Sequence, residues 1–173
     1  MFFAVDVLAD AFAQIAGLPS WEVRRGHGSF VTLEFGAPRV EISDVRALPL
    51  PIAREQLQVP GRSAYVRGEW HLWIYCCEWS LSWRDREIGN SESPDVPMNR
   101  ALGVLNGQSL IDVVAGTADG RSSFAFDLDC VLATRPPPDA ARDLVQWMFF
   151  RPSGDVLNLY ADGRLETSKG NEP

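Results

Sequence analysis

Lysine is almost missing from this chain. Of its sixteen basic residues fifteen are arginine, and Lys169 is the single lysine. The arginines are scattered one at a time, so no basic cluster forms a phosphate-binding stripe, and a net charge of −7 repels a nucleic-acid backbone. Nucleic acid is therefore not an expected partner. Histidine is scarce too, with only His27 and His71. The three cysteines, Cys76, Cys77 and Cys130, are too few and too poorly spaced for a disulfide framework. Adjacent residues on a strand point to opposite faces, so Cys76 and Cys77 are badly placed to bridge each other. No CxxC, GxSxG, GxGxxG, HExxH or P-loop pattern occurs, which removes the sequence basis for most familiar hydrolases, nucleotide enzymes and zinc peptidases. No cofactor, metal ligand or catalytic residue is assigned. No apolar run approaches membrane-spanning length, and Asp6 and Asp10 interrupt the first ten residues where a signal peptide needs an apolar core. Reduced thiols in a cytoplasmic protein, with no membrane partner, are the expectation.

What is present is aromatic and β-rich. Four of the six tryptophans fall between Gly68 and Trp83, in GEWHLWIYCCEWSLSW. The odd positions His71, Trp73, Tyr75, Cys77, Trp79, Leu81 and Trp83 stay mostly apolar. The even positions begin apolar at Trp70, Leu72, Ile74 and Cys76, then turn polar at Glu78, Ser80 and Ser82. That pattern predicts one extended strand over 69–83, near the centre of the core and buried on both faces in its first half. Trp70 and Trp73 are expected in that core.

Elsewhere the periodicities are short. Phe3 to Ala16 reads as an amphipathic helix closed by Gly17 and Pro19. WEVRR, GHG and SFVTLEF read as a hairpin, followed by a third strand, RVEIS, with Val40 and Ile42 inward. Residues 44–62 have no clear period and read as a surface crossing, and Asp85 to Pro97 as an exposed loop. One or two helical turns are expected over Pro97–Leu105, with Leu102 and Leu105 facing in. Strands are expected at 63–67, 110–114, 122–128, 131–134, 145–150, 156–160 and 164–167, and a short helix over 139–144. On the strand at 122–128, Phe124, Phe126 and Leu128 share one face. The tail from Ser168 is expected to fray. Nine or ten strands without intervening helices exclude βαβ units. The fold class is mainly β (α+β): one domain over 1–173, an antiparallel sheet curled into a barrel or sandwich, with an N-terminal helix and one or two short helices packed on it.

Five residues stand out as candidates for a binding site. His27, between two glycines, would sit exposed at a hairpin tip, where a general base is conceivable and polar decoration commoner. Asp127 and Asp129 bracket Leu128 and would share a face, as paired carboxylates do in hydrolases and cation sites, or would simply begin a turn. Trp79 and Trp83 lie on the persistent apolar face near the end of the long strand. If that face is open they form an aromatic platform for a sugar, ligand or protein partner; if a helix covers it they are core. His71 reads as a core histidine, about 20 Å from Cys77 on a straight strand, too far for a dyad.

Three segments of the second half carry a resemblance: Leu105-Asn106-Gly107-Gln108-Ser109-Leu110, Phe124-Ala125-Phe126-Asp127 and Gln146-Trp147. Over about residues 105–165 the chain resembles small bacterial β-rich proteins of unknown function, some of whose neighbours are immunity proteins to secreted toxins. The resemblance implies a non-enzymatic bacterial cytosolic protein and carries over no catalytic residue. The favoured expectation is a non-catalytic protein-binding module, an immunity-type inhibitor among the forms it could take. Residues 87–173 hold seven basic and thirteen acidic side chains, 7 − 13 = −6, which suits a basic protein partner. A small-molecule-binding protein or enzyme, with its pocket at the mouth of the curled sheet, is the alternative.

Overall fold

The computed structural model describes residues 3–52, 55–116 and 118–170, with the backbone alone described for 3–6 and 43–61. It is a mainly antiparallel β-protein of two open sheets that enclose one core. The first sheet joins β1 (Trp21–Arg25), β2 (Val31–Phe35), β5 (Trp70–Ile74), β11 (Val145–Phe150), β12 (Asp155–Tyr160) and β13 (Leu165–Lys169), side by side in that order. The second runs β7 (Arg86–Asn90), β6 (Glu78–Trp83), β10 (Cys130–Arg135), β9 (Ser122–Phe126) and β8 (Leu110–Ala115). Helix α1 (Phe3–Ala13) closes the core: Phe12 stacks on Phe149 at 4.4 Å and meets the edges of Trp147 and Phe124 at 5.8 and 6.0 Å. Trp147 is fully buried, and its indole N–H donates to Ser122 Oγ at 2.8 Å, so the largest core side chain leaves no polar atom unfilled.

The tryptophan-rich stretch is two strands, not one. β5 belongs to the six-stranded sheet and β6 to the five-stranded sheet, and Tyr75-Cys76-Cys77 carries the chain across. There the Cys77 N–H donates to the Tyr75 carbonyl at 3.0 Å, a tight three-residue turn. The core-facing side chains are the even-numbered Leu72 and Ile74 before the turn and the odd-numbered Cys77, Trp79 and Leu81 after it. A slip of one residue is required here. A strand that leaves one sheet for the facing one must show its other side to the same core. Trp73 therefore lies on the side of β5 turned away from the core, half-buried instead of central.

Further expectations are corrected. Residues 39–67 form a long two-stranded hairpin, β3 (Arg39–Ile52) with β4 (Glu55–Arg67), inserted between β2 and β5, so the expected strands at 39–43 and 63–67 run on into residues 44–62, where a surface crossing was expected. It pairs with no other described strand, so Val40 and Ile42 are 69% exposed on it, not inward. Proline at 49, 51 and 60 hid its strand period from the sequence. The segment after Trp83 contains a strand, β7, and Leu128 is 62% exposed because the chain has already turned there. Residues 139–144 form turns with no helix, whereas β13 continues to Lys169, with Ser168 opposite Val156. Residues 171–173 of the expected tail lie outside the described residues. Helix α2 (Asp95–Gly103) buries Leu102, and Leu105 follows it into the core. No helix among the described residues is long and apolar enough to cross a membrane.

Candidate functional site

Three pieces of chain meet beside Trp83. The first is the β6–β7 hairpin, whose two-residue turn is Arg84-Asp85. Both residues have positive φ, 48° and 61°, as a type I′ turn demands. Asparagine or glycine is the usual occupant, and an arginine in the left-handed region costs about 1–2 kcal/mol. Arg84 is held there by three contacts. Its N–H donates to the Asp129 carbonyl at 3.1 Å, its Nε to Asp129 Oδ2 at 3.1 Å, and its guanidinium lies 4.8 Å from the Trp83 ring. The second piece is the β9–β10 turn, Asp127-Leu128-Asp129. Asp127 Oδ1 accepts the Ser109 N–H at 2.9 Å, Asp129 has φ 63°, and Leu128 is left at the apex. The third piece is α2, pressed so closely on β7 that a Cβ added to Gly89 would stand 2.6 Å from Ala101 Cβ.

Between them runs an open apolar groove of about 620 Å³. Trp83 and Leu128 form one wall, and Val96, Pro97 and Val104 of α2 and its end form the other. Trp83, Val96, Val104 and Leu128 are 43%, 68%, 44% and 62% exposed. Single exposed apolar residues are ordinary; four converging on one groove make a patch of the kind that marks an interaction surface. Arg100 is the only charged residue among the described residues that line it, and it makes no ion pair with any described residue. Gln108 closes the floor: Nε2 donates to the Val104 carbonyl at 2.8 Å, while Oε1 is enclosed without a partner.

The five sequence candidates separate. Trp83, Asp127 and Asp129 come together at this groove, the two carboxylates in structural roles at its edge. Trp79 is 3% exposed in the core, and its Nε1 donates to the Ser29 carbonyl at 2.6 Å. His27 is exposed on the β1–β2 loop, its ring 6.4 Å from that of Phe30. That loop borders a second aromatic surface, where Phe30, Trp73 and Tyr75 touch on the outer side of the six-stranded sheet, with ring centroids 4.6–6.2 Å apart. Also off the groove, His71 Nδ1 lies 2.7 Å from Glu34 Oε1, and Glu34 Oε2 accepts the Gly68 N–H at 2.9 Å, both side chains being buried.

A smaller cleft of about 330 Å³ holds Arg121, Arg135 and Arg142. Arg121 is already paired with Asp119 and Arg135 with Glu78, at 3.3 and 2.6 Å. Among the described residues no three His, Cys, Asp or Glu side chains gather as a metal cage requires. Burial pushes the Cys77 thiol up to about 12, and burial also raises Cys76. Both therefore stay protonated at neutral pH, the opposite of an activated nucleophile.

Sequence reasoning missed Val96, Arg100, Val104 and Leu128. The signal for the first three was in α2, where apolar residues at 96, 97, 98, 101, 102 and 104 outnumber what one buried face needs. Against known proteins, no family model, no curated protein and no solved structure matches this chain.

Proposed function

We propose that the protein is a non-catalytic protein-binding module, of the immunity-inhibitor type, that docks a basic partner through the groove beside Trp83. The convergence of four exposed large apolar side chains on one open groove carries this reading. A tryptophan beside aliphatic neighbours is the composition of an interface anchor, and the −7 charge steers a basic partner over longer range. A catalytic or small-molecule reading needs His27 or the Asp127–Asp129 pair inside a concave pocket. Neither histidine lines either cleft, and both carboxylates are spent on turn geometry.

The test uses the full chain as bait beside its Val104→Asp and Leu128→Asp variants, each checked for native circular dichroism. At low salt the wild type is expected to hold one basic protein in a 1:1 complex, and to release it as salt rises. Both variants are expected to lose it. A partner retained equally by all three proteins, or indifferent to salt, refutes this mode of binding.

A further inference from the structure

We infer that the element of the partner received by this groove is a short apolar segment bearing one carboxylate, an aspartate or glutamate side chain, which pairs with Arg100. The inference rests on the protein-docking reading above and specifies the chemistry of the docking element.

The argument begins with what a ligand meets in the groove. Its walls are apolar, and the one charged side chain among the described residues lining it is an exposed guanidinium that no described residue neutralises. Arg84, in the turn beside Trp83, is already engaged by Asp129 and lies over the Trp83 ring, and Arg86, opposite Trp83 across the hairpin, is not among the described residues that line the groove. The unfilled oxygen of Gln108 is enclosed beneath the floor, so the polar chemistry presented to a ligand is a cationic donor. Val96 and Val104 stand one helical turn to either side of Arg100 and leave the guanidinium between apolar neighbours. A ligand seated there strips water from Arg100. An uncharged apolar segment would leave that cation desolvated and unpaired, which is costly, whereas a carboxylate meets it with charge-assisted hydrogen bonds in a bidentate fork.

The form of the groove selects a chain segment as the occupant. It lies open along α2, and Val96 to Val104 spans about 12 Å at helical rise, room for about four extended residues. The acidic surface and the local cation have separate roles: the first attracts a basic protein as a whole, and the second selects which apolar segment of that protein seats.

The test is a titration of the full chain with three capped twelve-residue peptides, identical in their leucines and differing at one central Glu, Gln or Lys. Binding is read by tryptophan fluorescence and by isothermal calorimetry. The Glu peptide is expected to bind about tenfold more tightly than the Gln peptide, the size of one charge-assisted hydrogen-bonded contact. Arg100→Gln is expected to erase that difference, and Arg100→Glu to turn the preference toward the Lys peptide. Equal binding of the Glu and Gln peptides, abolished by Val104→Asp, overturns the carboxylate inference and leaves the docking groove standing. Binding of no peptide, or binding indifferent to Val104→Asp, overturns both.

Discussion

The indole N–H of Trp79 reaches the carbonyl of Ser29 across 2.6 Å and so joins β6 of one sheet to the loop that leads into β2 of the other. Four residues further along the same strand, Trp83 is 43% exposed in the groove. These two tryptophans are therefore expected to separate cleanly on substitution. Trp79→Ala is expected to cost about 3–5 kcal/mol of stability, as for a large core aromatic. Trp79→Phe, which leaves the Ser29 carbonyl without its donor, is expected to cost about 1–3 kcal/mol. Trp83→Ala is expected to stay within about 1 kcal/mol of wild type while weakening partner binding. Chemical denaturation of the three variants is the check, and similar losses at both sites would contradict the placement.

Gly89 sets the position of one wall of the groove. A side chain there would collide with Ala101, and both atoms belong to packed elements, not to flexible tips. Gly89→Val is expected to push α2 outward and cost about 1–3 kcal/mol, as overpacking does. Partner binding is expected to fall further than the fraction of unfolded protein explains. A variant with native affinity would show that the wall does not define the site.

Arg84 carries opposed terms. Arg84→Gly is expected to relieve about 1–2 kcal/mol of left-handed backbone cost while losing an exposed ion pair and a cation–π contact of about 0.5–1 kcal/mol each. The two sides nearly cancel, so stability is expected to change by less than about 1 kcal/mol, with Trp83 emission shifting to the red as its ring is uncovered. A loss above about 2 kcal/mol would mean that the arginine clamp, not the turn residue's conformation, holds this hairpin in place.

Cys77 makes stability fall in alkali. Its folded-state value is raised, from the ordinary 9.0 to about 12, chiefly by burial and next by the neighbouring Cys76 thiol. A raised value favours the protonated, folded form, so this contribution is fully present below about pH 9 and is lost as pH climbs toward about 12. Three pH units correspond to about 4 kcal/mol as an upper order of magnitude. Cys77→Ala is expected to flatten the stability profile between those limits relative to wild type. In native protein at pH 8, half-buried Cys76 is expected to react with a thiol reagent before Cys77 and Cys130, which are buried. Mass mapping of the first label decides this, and a first label on Cys77 would contradict its burial.

Most elements were legible in the sequence because alternation, turn dipeptides and helical spacing are local, and a short window reports them. The β1–β2 hairpin, β9 to β12 and the buried side of α2 follow from that alone, as does the mainly β class. Pairing and facing are not local. Nothing in GEWHLWIYCCEWSLSW states that its two halves serve different sheets, because a one-residue slip at Tyr75–Cys77 leaves the stretch rich in apolar residues on both parities. That slip placed Trp79 inside. The end of the strand at Trp83 lies beyond the cover of α1, which reaches Phe124, Trp147 and Phe149 instead, and so left Trp83 in the open. Composition determined that the molecule is acidic, lysine-poor and built of strands. Tertiary packing alone decided that Trp83, Leu128, Val96, Val104 and Arg100 meet, since exposure depends on what covers a residue, and residues distant along the chain supply that cover.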